Sequence, residues 1–224
     1  MEHFFSVNGK IFLFINKLID LMLLDIIFLI TCLPIITIGT SFTALYQTTM
    51  RIVDNTESYI IRNYFFYWKQ NLKRGTLLWI PSLFLLTLCI LNLCVLPVMP
   101  PSLYRAFSLC VQFVLLFLLC GILLYAFSLP EEYRCSLVYT MRNASFMAFK
   151  YLPTTCLCIC ISASPFTLIL LAPKIAGWIP SLTIVIGCSG IAYLHSVILY
   201  KTLKKETQKG KATLLLSQCR RSNR

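Results

Sequence analysis

Phe107-Ser-Leu-Cys-Val-Gln-Phe-Val-Leu-Leu-Phe-Leu-Leu-Cys-Gly-Ile-Leu-Leu-Tyr-Ala-Phe-Ser-Leu129 contains no charged side chain. At about 1.5 Å per residue, a helix of this length crosses the roughly 30 Å hydrocarbon layer of a bilayer. Backbone N–H and C=O groups in lipid must pair within their own segment, so a run of this kind is a helix; barrel strands are about half as long. Four more runs read the same way: residues 18–38, 76–98, 152–172 and 177–200. Aromatic side chains sit near their ends (Trp79, Tyr104, Tyr151, Trp178, Tyr200), where amphipathic rings favour the interface. Pro97, Pro100 and Pro101 end the second run, and Pro165 inside the fourth predicts a kink.

Composition agrees. Of 224 residues, 58% are hydrophobic and 12% charged, against about 25% charged in a soluble domain. So apolar a chain cannot cover a water-soluble fold with a polar skin. The expected fold is all-α: a polytopic transmembrane helical bundle of about five spans plus cytoplasmic interfacial helices. Residues 1–200 form one transmembrane domain, and residues 201–224 a basic tail. The first run starts late, contains Asp20 and Asp25, and has no small-residue cleavage site after it, so it reads as an uncleaved helix.

The formal net charge is +12. The basic residues lie between and after the apolar runs, which points to anionic lipid rather than nucleic acid. No nucleic-acid-binding motif is present. Arg51, Arg62, Lys69, Lys73 and Arg74 separate runs one and two; Arg134, Arg142 and Lys150 separate runs three and four. Eight more basic residues, from Lys201 to Arg224, fill the tail, with Glu206 its only acid. The positive-inside rule puts the C-terminus in the cytoplasm of a multi-pass cell-membrane protein. Five crossings then put the N-terminus outside; if residues 40–53 re-enter or cross, it moves inside.

Two connecting segments interleave aromatic and basic side chains, residues 59–74 and 137–150, as in helices lying in the headgroup plane. Each leads into an apolar run with threonine near its start, Thr76 and Thr154.

Most of the eleven cysteines lie inside apolar runs and read as small hydrophobes, not as a disulfide framework. In Cys156-Leu157-Cys158-Ile159-Cys160 only the outer two share a helix face. No histidine or carboxylate stands near them, so packing outweighs a metal site. Neither a Ser-His-Asp, HExxH or paired-carboxylate pattern nor a phosphate-binding loop appears, and the histidines are His3 and His195 alone. We expect no enzyme, no metal and no cofactor.

The candidate functional or structural residues lie in the first run. Asp25 is a carboxylate in an apolar helix, costly unless protonated, paired or wetted. It reads as an ion, proton or substrate contact, or as a bond to a neighbouring helix. Asp20, three residues after Lys17, suggests an interfacial pair. In Leu33-Pro-Ile-Ile-Thr-Ile-Gly39, Pro34 removes a donor and bends the chain, Thr37 can satisfy a freed backbone group, and Gly39 permits close approach. Broken helices of this kind line some transporter sites; a plain packing kink is the favoured reading. Asn92, Gln112 and His195 read as helix bridges.

This stretch, followed by Thr43-Ala44-Leu45-Tyr46, resembles the N-terminal signature of the YesL family, bacterial membrane proteins of unknown function. Asn71-Leu72-Lys73, and Arg142-Asn143-Ala144 through Leu152-Pro153-Thr154, resemble its later landmarks, so the likeness runs to about Tyr200. Asp25 departs from the family's usual asparagine. The resemblance implies a non-enzymatic accessory role in carbohydrate uptake, beside ABC permease subunits or in self-association, with no catalytic residue to carry over. The alternative is an independent small-solute transporter with the broken first helix as its site.

Overall fold

The computed structural model describes residues 2–54, 59–96, 103–129, 137–171, 187–200 and 202. Every regular element among them is helical. In order they are α1 (Glu2–Cys32), a 3-10 turn (Ile35–Thr37), α2 (Ile38–Val53), α3 (Ile60–Val95), α4 (Leu103–Ser128), α5 (Leu137–Lys150), α6 (Leu152–Leu171) and α7 (Cys188–Tyr200). The fold is an all-α bundle. Helices α3 and α4 are each long and apolar enough to cross a membrane, and the bent pair α5–α6 makes a third candidate span. The first part of the expected fifth run and nearly all of the basic tail lie outside the described residues.

Helix α1 is apolar on the outside. Ile15, Ile19, Leu23, Ile26 and Ile30 form an exposed stripe at helical spacing, while Leu24, Asp25 and Phe28 are buried. A helix with its outer face in water shows the opposite pattern; α1 is nonetheless not among the helices long and apolar enough to cross a membrane. The helix ends at Cys32 because Pro34 cannot donate, and Pro34 itself is extended (φ −76°, ψ 118°). The chain resumes as α2, which lies at the centre of the bundle with a nearly continuous buried stretch from Gly39 to Thr49. Residues 40–53 are therefore neither a surface loop nor a lipid-exposed span.

Helices α2 and α3 run antiparallel, with Gly39 beside Trp79, Thr40 beside Gly75 and Gln47 bonded to Asn71. Small residues set this spacing. In lipid, apolar burial gives little drive for association, and close backbone packing supplies it. On the other side Phe42 stacks on Phe127 of α4 (ring centroids 6.0 Å apart, 11° between planes) and meets Phe28 of α1 edge-on at 5.0 Å.

The expected break between an interfacial segment 59–74 and a span from Thr76 is absent. Helix α3 is continuous over 36 residues, about 54 Å at 1.5 Å per residue. It is far longer than the hydrocarbon layer, so its basic first half extends the span instead of lying flat. The segment 137–150 behaves differently: α5 meets α6 at 96°. Pro153, at the second position of α6, cannot donate to the Phe149 carbonyl, and the helix turns there. Pro165 does not end α6. The carbonyl it frees, that of Ile161, accepts the Ser164 hydroxyl at 2.8 Å.

Candidate functional site

The break after Cys32 is closed by its own donors. Thr37 Oγ1 lies 2.9 Å from both the Thr31 and the Pro34 carbonyl oxygens. Ser41 donates to Thr31 O at 3.1 Å, the Thr37 amide to Pro34 O at 3.0 Å, and the Trp79 indole to Ile35 O at 2.9 Å. Thr31 in turn uses its hydroxyl on the Tyr64 phenol, 2.6 Å away on α3. At the end of α1, the Thr31 carbonyl thus meets two hydroxyls and the Ile30 carbonyl the Leu33 amide at 3.4 Å, while Leu33, Ile35 and Ile36 point outward.

Gly39 and Gly75 explain how α3 comes so near. A Cβ on Gly39 would lie 2.5 Å from Trp79 Cβ and 2.7 Å from the Gly75 carbonyl oxygen; one on Gly75 would lie 2.7 Å from Thr40 Cα. Thr40 Oγ1 reaches Leu72 O and Thr76 Oγ1, both at 3.3 Å.

Asp25 belongs to a different contact and shares no bond with Pro34, Thr37 or Gly39. It is fully buried, and its Oδ1 accepts the Ser189 N–H at 3.0 Å. The Ser189 hydroxyl donates to Leu21 O at 2.8 Å, so one residue of α7 ties two positions of α1. Lys17 and Asp20 form no ion pair with each other.

Further along α7, His195 joins three helices. Its Nδ1 lies 2.9 Å from Tyr46 Oη, and its Nε2 lies 3.0 Å from the Cys158 carbonyl oxygen. A carbonyl only accepts, so Nε2 carries the proton and Nδ1 accepts from the Tyr46 phenol. Thr49 and Ser196 hydroxyls meet at 2.7 Å in the next layer, and Tyr200 bonds Asp54 beyond it. This ladder aligns α2 and α7 in parallel. Gln112 bridges as its position suggested, donating to Cys89 O at 2.7 Å. Asn92 does not: it lies on the exposed face of α3.

A cavity of about 10 Å³, bordered by Thr43, Asn71, Arg74 and Thr140, sits between α2, α3, α4 and α5. That is room for about one water. Of the described cysteines all are free; Cys158 is buried while Cys156 and Cys160 face outward, as helical geometry requires. Among the described residues no cluster could hold a metal ion.

Sequence reasoning found Asp25, the break and His195 but missed Tyr46, Ser189 and Ser196. The available signal was the density of hydroxyl and amide groups between Thr40 and Thr49. Polar groups so numerous in an apolar chain must find partners.

Residues 21–93 match a family model described as a protein of unknown function, DUF624. The match spans Asp25, the break, all of α2 and nearly all of α3. No curated protein and no solved structure matches the chain.

Proposed function

We propose that the protein is a non-enzymatic accessory component of the cell membrane, working through contacts with other membrane proteins and tied to carbohydrate uptake by an ABC permease. The YesL resemblance supplies the link to sugar uptake, and the match to a family of unknown function is compatible with it. The observation that carries the accessory reading is the closure of the break: Thr37, Ser41 and Trp79 occupy carbonyls that a broken transporter helix would turn to its solute.

In this reading the C-terminus is cytoplasmic. The Tyr200–Asp54 bond supports it, because it brings the tail to the same end as the basic start of α3. The contact surfaces are the exposed aromatic and basic side chains of α3 and α5, including Phe65, Phe66, Phe146 and Phe149.

The test is affinity capture of the tagged protein from mild detergent, followed by mass spectrometry. A stoichiometric permease subunit is the expected result; a homo-oligomer with no partner overturns it. A second reading, a small-solute transporter, has buried Asp25 in its favour. It requires that Asp25→Asn abolish uptake in proteoliposomes while the protein stays folded.

A further inference from the structure

Asp25 presents an unfinished hydrogen-bond set. Its Oδ1 faces backbone amides of α7, from Ser189 at 3.0 Å and from Cys188. Its Oδ2 is buried with no partner. The Ser189 hydroxyl, a possible donor, is committed to Leu21 O. No ion pair reaches Asp25 among the described residues, and the titratable group facing it is the Cys188 thiol on α7. The opposite, exposed face of this stretch of α1 is apolar, with Ile19, Leu23, Ile26 and Ile30.

An ionised carboxylate here would hold a full charge in the bundle interior with one oxygen bare. A proton on Oδ2 removes the charge and leaves Oδ1 as the acceptor that backbone N–H groups require. We propose that Oδ2 of Asp25 is a proton-binding site inside the membrane, and that the proton held there fastens α1 to the first described turn of α7. Loss of the proton forces the carboxylate to recruit water or α7 to move away. Helix α7 also carries His195 and Ser196 to the central helix α2, so a shift there reaches the middle of the bundle.

The sequence makes the test tractable, because it contains three aspartates, Asp20, Asp25 and Asp54. The full chain, labelled with carboxyl-13C aspartate, is reconstituted in phosphatidylcholine–phosphatidylglycerol vesicles and its isotope-edited infrared spectrum recorded at pH 7. We expect a protonated-acid carbonyl stretch from one aspartate, lost in Asp25→Asn. Should that variant not fold, the double variant Asp20→Asn, Asp54→Asn leaves Asp25 as the sole labelled residue, and the acid band must remain. Carboxylate bands alone at pH 7, or an acid band that survives Asp25→Asn, overturn the proposal.

Discussion

Gly39 and Gly75 meet backbone to backbone: a Cβ on Gly39 would fall 2.7 Å from the Gly75 carbonyl oxygen. A Cβ on Gly75 would in turn meet Thr40 Cα at 2.7 Å and the Thr40 amide nitrogen at 2.9 Å, main-chain atoms that no rotamer change can move. Gly75→Ala is expected to cost about 1–3 kcal/mol, the usual range for overpacking. Its signature is a lower unfolding midpoint in detergent, with helix content preserved. An unchanged midpoint would mean that α2 and α3 are not in the contact described.

Tyr46 and His195 should be energetically coupled. Tyr46→Phe removes the donor to Nδ1 and leaves that nitrogen buried and bare. A double-mutant cycle of Tyr46→Phe with His195→Phe should give a coupling of about 0.6–1.7 kcal/mol, the range for interhelical hydrogen bonds in membranes. Strict additivity of the two substitutions would remove the bond from the account.

The Thr37 hydroxyl serves two carbonyls of the break. Thr37→Val keeps the shape and deletes the hydroxyl, so a loss of about 1 kcal/mol is expected, while Thr37→Ser should retain most of the stability. Equal loss in both variants would point to packing by the threonine methyl group instead.

Orientation can be read with reporters. A fluorescent protein fused after Arg224 should fold and fluoresce, as it does only in the cytoplasm. Alkaline phosphatase joined at the α3–α4 connection, near Pro100, should be active, as it is only outside. The reverse pattern would invert the topology proposed from the basic segments and the Tyr200–Asp54 contact.

The two aromatic–basic segments show what a sequence conveys and what it leaves open. Both change abruptly from charged to apolar, at Thr76 and near Leu152, and both suggested a flat helix followed by a span. A change of composition does not by itself end a helix, and neither does every lost donor, since Pro81 lies inside α3 and Pro165 inside α6. Near the start of a helix the missing N–H and the proline ring favour a turn. Pro153 supplies both, and α5 meets α6 at 96°. The Gly75-Thr76 junction contains no proline, and α3 passes straight through it. Gly75 serves there as a contact surface for Thr40. Similarly, Pro34 marked the break from sequence, whereas the donors that close it, Ser41 and Trp79, became visible only once α2 and α3 were packed.

By itself the sequence determined that this is a helical membrane protein, where most helices lie, and that Asp25, Pro34, Thr37 and Gly39 are unusual. Each of those conclusions depends on local quantities: the transfer cost of a run of side chains, a missing N–H, an absent Cβ. Tertiary structure alone decided that Asp25 meets Ser189, 164 residues away, that Tyr46 completes His195, and that α2 is the centre of the bundle. Those choices depend on which polar groups satisfy one another across helices. In an apolar medium every such group needs a partner, but its own neighbourhood in the chain does not say which.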